Sequence, residues 1–137
     1  IPNVFMIKKL VWDKVGGIES SFVMHYEESD LAEKIRKIGY NLYIVPKAKV
    51  WHNVPLNSEK NARNYGGESE RRVYYTARNR ILFMQRNAPR INLFLFIAIF
   101  NNLFLFAYCF NYLKNKKINL IKAYIKGVGD GINNKLK

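Results

Sequence analysis

The sequence is poor in cysteine and, in its second half, in acidic residues. Cys109 is the single cysteine of 137 residues, so the chain holds neither a disulfide framework nor a thiolate metal site. Residues 67–137 contain three acidic and thirteen basic residues, whereas residues 1–66 contain seven and ten. The net charge of +13 therefore comes mainly from the second half. Because this basic half surrounds a long apolar run, the charge favours an anionic membrane surface over nucleic acid as a partner.

An initiator methionine is also lacking. The chain begins Ile1-Pro2-Asn3 and enters apolar sequence at once. Its length suits one domain with a real hydrophobic core. We nevertheless interpret the sequence as a piece of a longer protein, in which a signal peptide would lie outside the part seen.

The first half predicts short strands that alternate with short helices. Residues 4–7 and 41–45 are apolar and partly β-branched, which is typical of strands, and residues 49–52 extend the second strand after a kink. Residues 9–15 predict a short helix that is ended by the permissive backbone of Gly16 and Gly17.

A second helix is predicted from about Asp30. Its apolar residues recur at helical spacing: Leu31, Ile35 and Ile38. Ser29 or Asp30 is the expected N-cap, and Gly39 is the expected left-handed residue after the helix. Residues 53–67 are polar and rich in Asn and Gly, which is typical of an exposed loop.

The second half predicts three helical segments. Residues 67–90 form a basic connecting helix whose apolar side carries Val73, Ala77, Ile81 and Met84, and Pro89 breaks it. Residues 91–113 contain no charge, and 23 residues are enough to cross a bilayer at roughly 20 residues per span.

Two alternatives stay open for the apolar segment. Residues 91–113 include four asparagines, and lysines or arginines stand on both sides, so a re-entrant or interfacial helix competes with a membrane span. Residues 114–137 form a basic tail in which Ile118, Ile121 and Ile125 recur at helical spacing. This pattern predicts an amphipathic helix at a membrane interface.

Three carboxylates, those of Glu27, Glu28 and Asp30, fall within four residues at the start of the second helix. A carboxylate within hydrogen-bond reach can remove the proton of an attacking hydroxyl group. The alternative is that acidic residues simply favour the first turn of a helix. His52 follows the second strand and is a candidate metal ligand, with a packed or surface imidazole as its alternative.

The order of several short motifs resembles a known enzyme family. Gly-Gly-Ile-Glu stands at residues 16–19, Phe-x-x-x-Tyr-Glu-Glu-x-Asp-Leu at 22–31, Gly-Tyr at 39–40 and Val-Pro-x-Ala-x-Val-Trp-His at 45–52. Together they resemble the C-terminal half of the catalytic domain of family 2 glycosyltransferases, with rhamnosyltransferase-like members closest. These are inverting enzymes with the α/β GT-A fold.

The resemblance implies both a fold and an activity. Residues 1–66 would be the acceptor-side part of a GT-A catalytic domain, followed by a helical, membrane-associated region with the catalytic part on the cytoplasmic side. The enzyme would transfer a sugar from a nucleotide-sugar donor to a hydroxyl of a glycan or lipid-linked acceptor, with inversion, during the synthesis of a polysaccharide, glycolipid or glycoprotein glycan. Mg²⁺ or Mn²⁺ would stabilise the diphosphate leaving group.

The resemblance also implies roles for the acidic residues and the histidine. Glu27 and Glu28 match the acidic pair of the family, whose second residue is the catalytic base. Asp30 matches a further acidic residue that orients the helix start or its neighbours. His52 matches a histidine that helps to hold the metal ion in some relatives.

Five further residues are implied at the acceptor pocket. Gly16 and Gly17 match the turn that shapes the pocket, and Phe22, His25 and Tyr26 would lie near its wall. The nucleotide-binding half of the family's domain, with its Asp-x-Asp motif, is absent from the sequence.

Three positions depart from the family pattern. Glu28 replaces the usual aspartate and lengthens the base by one methylene group. Lys34 replaces an arginine, so a point charge stands where the family has a planar fork of donors. Ile18 replaces a phenylalanine and alters the expected pocket wall. A non-catalytic, membrane-anchored binding or scaffold fragment remains the alternative from another functional class.

Overall fold

The described part of the chain is built from helices. A computed structural model describes residues 4–51 and 69–133, and the helices lie within these two ranges. In chain order they are α1 Lys9–Val15, a 3₁₀ turn Ser20–Phe22, α2 Glu27–Lys37, α3 Glu70–Asn87, α4 Arg90–Lys114 and α5 Ile118–Asn133. The predictions for His52, for the loop 53–67 and for the last four residues fall outside the described ranges.

The predicted α/β class, with a partial GT-A sheet, is wrong for the described residues, where no strand is found. Residues 4–7 and 41–45 are irregular, and the extension over residues 49–51 is irregular as well. Met6 is 99% exposed and Ile44 is 93% exposed. A strand needs a neighbouring strand to accept its backbone hydrogen bonds, and no described segment provides one. Apolar, β-branched composition alone therefore did not produce a sheet.

Helix α1 confirms its prediction residue for residue, from Lys9 to Val15. Gly16 ends it at a φ of 70°, and Gly17 follows at 68°. A Cβ atom on Gly17 would also come within 2.9 Å of the Trp12 ring. Both glycines are therefore required by the backbone of this turn, and Gly17 by the close indole as well.

Helix α2 begins three residues earlier than predicted, at Glu27. The predicted cap at Ser29 or Asp30 is wrong, because both residues lie inside the first turn and Tyr26 is the N-cap. The C-terminal prediction is confirmed: Gly39 has a φ of 82°. Its N–H bonds to the Arg36 carbonyl at 3.0 Å, and the Tyr40 N–H bonds to the Ile35 carbonyl at 3.2 Å. This pair of bonds is a Schellman motif.

Two small cores hold the helices. The first joins α1 to α2 through Val11, Leu31 and Ile35. The second joins α3, the end of α4 and α5, and it consists of Val73, Ala77, Tyr112, Leu120 and Tyr124. The predicted apolar side of α3 is thus confirmed as a buried face.

Helices α3 and α5 pack at very short range. Gly127 and Gly131 are buried on α5, where an added Cβ at Gly127 would collide with the Tyr74 carbonyl oxygen. The same addition at Gly131 would lie 2.9 Å from the Arg78 carbonyl oxygen. Two glycines four residues apart lie on one helix face and let two backbones approach.

The face of the tail that packs against the protein is not the one that carries Ile118 and Ile125. The tail is helical as predicted, but its buried side carries Leu120 and Tyr124 against α3. Ile118 and Ile125, from the predicted apolar stripe, are 47% and 53% exposed. Helix α5 therefore packs on the protein with one face and presents isoleucines outward on another.

Helix α4 is the apolar helix that the sequence predicts. It runs for 25 residues, its most apolar window of 18 residues has a mean hydropathy of 2.2, and by length and composition it can cross a membrane. Only 11% of its most apolar window is buried within the chain. Residues Phe96–Phe100 form a π-helical turn, where Asn102 Nδ2 donates to the Ile97 and Ala98 carbonyls at 3.1 and 2.8 Å. The asparagine thus satisfies backbone groups within the apolar stretch.

Candidate functional site

The loop before α2 has an unusual backbone. Val23, His25 and Tyr26 have φ values of 58°, 64° and 71°, in the left-handed region that non-glycine residues seldom occupy. Such residues cost of order 1–3 kcal/mol each and persist only where the surrounding structure imposes them. The strained segment leads directly into Glu27 and Glu28, the predicted acidic pair.

The side chain of Asn79 holds this loop against α3. Asn79 is fully buried, and its Nδ2 atom donates to the carbonyls of Phe22, Met24 and His25 at 2.5, 2.6 and 3.1 Å. The Phe22 carbonyl also accepts from the Met24 N–H, whereas no backbone donor among the described residues reaches the carbonyls of Met24 and His25, so the amide supplies the hydrogen bonds that this turn cannot make. Sequence reasoning missed Asn79, because a single asparagine within a basic helix carries no signal of a contact with residues 22–25.

Three arginines of α3 add to this contact. Arg78 Nη2 donates to the Ser21 carbonyl at 3.1 Å, and Arg80 Nε donates to the Tyr26 hydroxyl oxygen at 3.3 Å. Arg86 Nη1 bonds to Glu19 Oε2 at 2.8 Å. The sequence suggested that the basic residues of this half face a membrane. Three of its arginines instead bind the loop to α3.

Asp30 lies at the centre of a buried ionic network. Its side chain is fully buried, with Oδ1 3.2 Å from Arg86 Nε and 3.1 Å from Asn87 Nδ2. Lys34 Nζ lies 3.5 Å from Oδ2. The predicted catalytic group Asp30 is therefore enclosed and neutralised, and its position suits the orienting role, since it ties the first turn of α2 to the end of α3.

Arg86 joins this network to Glu19. Hydrogen bonds from the Arg86 guanidinium and from Ser21 lower the pKa of Glu19 from 4.5 to about 2. Glu19 is the last residue of the Gly-Gly-Ile-Glu motif, and its carboxylate also caps the 3₁₀ turn by accepting from the Ser21 N–H. The motif residue thus has a structural role that fixes the entry to the strained loop.

The acidic pair remains accessible. Glu27 and Glu28 are half-buried, whereas Asp30 is enclosed. One carboxylate oxygen of Glu27 is buried without a hydrogen-bond partner, and within the described ranges no hydrogen bond or ion pair joins Glu28 to another residue. The Glu28 carboxylate is therefore partly exposed and has no partner among the described residues.

His25 stands beside the pair. Burial, followed by the positive charge of Arg72, lowers the pKa of His25, while Glu27 and Glu28 act in the opposite direction. Its Nε2 atom is buried without a hydrogen-bond partner. The imidazole is therefore held neutral near pH 7, next to the two carboxylates.

Tyr26 connects the loop to the apolar helix. Its ring lies 5.5 Å from that of Phe83, and its hydroxyl accepts from Arg80. The Arg80 guanidinium in turn lies 4.2 Å from the centre of the Phe104 ring and 5.7 Å from that of Tyr108, both on α4. Cation–π contacts of this kind stabilise a partly desolvated arginine. Loop, α3 and α4 thus share one set of contacts.

The remaining predicted pocket residues lie beneath the loop or beside it. Phe22 is fully buried, so it supports the loop from below and has no surface for a substrate. Gly17 accepts a hydrogen bond at its carbonyl from Lys34 Nζ at 3.2 Å, so it lies close to α2. Gly16 is exposed at the end of α1. The structure thus brings Gly17, Phe22, His25 and Tyr26 around the start of α2.

The described residues do not by themselves form a metal site. Within the ranges 4–51 and 69–133, no group of three or more His, Cys, Asp or Glu side chains is placed to hold a metal ion. His52, the predicted ligand, lies outside those ranges. The Mg²⁺ or Mn²⁺ ion therefore stays a prediction from the resemblance.

Comparisons with known proteins do not assign the chain to a family. No protein-family model matches the chain, and neither a curated protein nor a solved structure is significantly similar to it. The family resemblance of the short motifs accordingly stays a prediction, and the site is interpreted from its own geometry.

Proposed function

We propose that this chain is part of a membrane-associated, inverting glycosyltransferase, which transfers a sugar from a nucleotide-sugar donor to a hydroxyl of a glycan or lipid-linked acceptor. The observation that supports it most is the strained loop before the acidic pair. Backbone strain is concentrated at functional sites, where the fold must hold a group in a fixed position. Here Asn79 bonds to the carbonyls of Phe22, Met24 and His25, and Arg80 bonds to the Tyr26 hydroxyl, immediately ahead of Glu27 and Glu28.

In this proposal Glu28 is the general base. Its carboxylate accepts the proton of the acceptor hydroxyl while that oxygen forms a bond to the anomeric carbon. The bond from that carbon to the nucleoside diphosphate breaks on the opposite face, and the diphosphate leaves with the electron pair. Asp30 does not take part, because it is enclosed by Arg86, Asn87 and Lys34. The difference in burial between two acids of one helical turn separates the two roles.

The membrane association is proposed from α4. A helix of 25 residues is roughly 37 Å long, which exceeds the hydrocarbon thickness of about 30 Å. Most of its apolar surface is exposed, so a lipid environment would bury what the chain does not. With the loop attached to α4 through Tyr26 and Arg80, the acidic pair would stand close to the membrane, on its cytoplasmic side.

The resemblance implies Mg²⁺ or Mn²⁺ at the donor diphosphate, with His52 among its ligands. The described residues supply only the acceptor side of the reaction. The resemblance implies that the donor binds to the nucleotide-binding half of the GT-A domain.

The test is Glu28→Gln in the natural polypeptide that carries this sequence, assayed with a panel of UDP- and dTDP-sugars that includes dTDP-rhamnose. We expect kcat to fall by a factor of about 10² to 10⁴, as for loss of a general base, with donor binding nearly unchanged. Glu33→Gln is the matched control, because it removes the same charge from the same helix at a half-exposed position that makes one long ion pair with Arg36.

Two outcomes would contradict the proposal in different ways. Normal turnover by Glu28→Gln would remove Glu28 as the base and leave Glu27 as the remaining accessible acid. Absence of transfer from every donor by the natural polypeptide would favour the alternative, a non-catalytic membrane-anchored binding fragment. That alternative is favoured by one observation, namely that the buried Asp30 network is explained by packing alone.

A further inference from the structure

The chain has a basic cleft that the proposed reaction does not use. It lies between the first turns of α3 and the first half of α5 and has a volume of about 600 Å³. Its lining consists of Glu70, Arg71, Tyr74, Tyr75, Asn119, Lys122, Ala123 and Lys126. Three cations thus face one carboxylate across two tyrosine rings.

Two cations of the cleft lie against tyrosine rings, and among the described residues none of its three cations forms an ion pair with a carboxylate. Arg71 lies 6.0 Å from the centre of the Tyr75 ring, and Lys126 lies 5.9 Å from that of Tyr74. The nearby carboxylate of Asp130 accepts a hydrogen bond from the Tyr74 hydroxyl at 2.7 Å. Among the described residues no ion pair is formed by Arg71, Lys122 or Lys126. The cleft therefore retains a net positive charge that an anion can neutralise.

The position of the cleft indicates which anion. Helix α4 ends at Lys114, and α5 begins four residues later at Ile118. Tyr112, near the end of α4, is buried with Leu120 and Val73, and Ala123 of the cleft lining packs against this same core. The cleft therefore lies beside the last turns of α4, and the C-terminal end of α4 would be near the lipid phosphate groups if this helix spans a bilayer.

We propose that this cleft binds the phosphate group of an anionic membrane lipid, an inference that rests on the proposed membrane association of α4. Arg71 supplies a planar fork that can hold two phosphate oxygens, and the two lysines of α5 supply point charges. The tyrosines lie where amphipathic rings are enriched, at the boundary between lipid and water. The lipid tails would continue along the exposed face of α4.

Vesicle sedimentation tests the proposal. The chain is mixed with phosphatidylcholine vesicles prepared with or without phosphatidylglycerol, and the affinity gained from the anionic lipid is measured. We expect Lys122→Gln with Lys126→Gln to reduce this gain about thirtyfold, since each basic residue near an anionic surface contributes about fivefold. The matched control is Lys47→Gln with Lys49→Gln, two exposed lysines distant from α5 in sequence, for which we expect little change.

A charge-conserving variant separates a built site from diffuse attraction. Arg71→Lys keeps the charge and removes the fork, so we expect a several-fold loss of the gain from anionic lipid. Equal losses in the two double variants, together with no effect of Arg71→Lys, would mean that only overall charge matters and would overturn the proposal.

Two further measurements distinguish a failure of the proposed membrane association from a failure of the proposed phosphate site. If the chain does not bind phosphatidylcholine vesicles at all, the membrane association of α4 is wrong, and this inference falls with it. If it binds them but gains nothing from phosphatidylglycerol, only the lipid-phosphate site is wrong. Binding of inorganic pyrophosphate in detergent that depends on Arg71, without any gain from anionic vesicles, would reassign the cleft to a soluble phosphate.

Discussion

The close packing of α3 on α5 allows a sharp test with three glycines of one helix. Gly127 faces the Tyr74 carbonyl oxygen, whereas a Cβ on Gly129 would have no atom within 4 Å. Both are interior positions of α5. Replacing either by alanine makes the same chemical change, with the same gain in intrinsic helix stability of about 1 kcal/mol. The two variants therefore differ only in what the new methyl group meets.

The expected magnitudes follow from this difference. Overpacking costs about 1–3 kcal/mol, and Gly127→Ala lies at the upper end because a backbone carbonyl cannot rotate away as a side chain can. The net loss of unfolding free energy is about 2 kcal/mol for Gly127→Ala, against a gain of about 1 kcal/mol for Gly129→Ala. Gly131→Ala, with its Cβ 2.9 Å from the Arg78 carbonyl oxygen, should destabilise by a smaller amount than Gly127→Ala.

Urea unfolding followed by circular dichroism in a single detergent measures the three variants against the parent. The predicted order of stability is Gly129→Ala, parent, Gly131→Ala, Gly127→Ala. If Gly127→Ala were as stable as Gly129→Ala, the two helices would not be in backbone contact, and the proposed arrangement of α3 and α5 would be refuted.

Two further predictions concern the docked loop. Asn79→Leu keeps the volume but leaves the carbonyls of Met24 and His25 without a donor among the described residues. We therefore expect a loss of about 2–3 kcal/mol in unfolding free energy and faster limited proteolysis between residues 22 and 26. Glu19 has a folded pKa of about 2 against an ordinary value of 4.5, so its stabilising contribution is complete above pH 4.5 and is lost as the pH falls towards 2. The shift corresponds to about 3 kcal/mol, which partial exposure of the ion pair reduces to about 1–2 kcal/mol. Glu19→Gln should lower stability by that amount at pH 7 and by almost nothing near pH 2, and an equal loss at both pH values would contradict the assignment.

The elements that the sequence predicted correctly are those defined by local signals. Helix α1 and its glycine stop depend on neighbouring residues only, and the same holds for Gly39, whose left-handed backbone closes α2. The apolar run of α4 is equally local. The predicted start of α2 was wrong because Tyr26 caps it with a left-handed backbone, a conformation that no rule assigns to tyrosine.

The strands and the docking of the loop could not be predicted in the same way. A strand is defined by its partner, and residues 41–45 have strand composition without a partner among the described residues. The contact of Asn79 with Phe22 joins positions 57 residues apart, and no periodic pattern marks either end. For the candidate site, the order of the motifs indicated which residues to examine, while their separation into an accessible Glu28 and an enclosed Asp30 required the folded contacts of α3.

The dependence of the loop on Asn79 also has a consequence for the order of events during synthesis. The acidic pair and its loop leave the ribosome long before the residue that shapes them, because Asn79 is translated 57 positions after Phe22. Until α3 has formed and docked, nothing opposes the relaxation of Val23, His25 and Tyr26 to ordinary backbone angles. The arrangement of this site is therefore a late product of folding, completed only when the segment that leads into the apolar helix has been made.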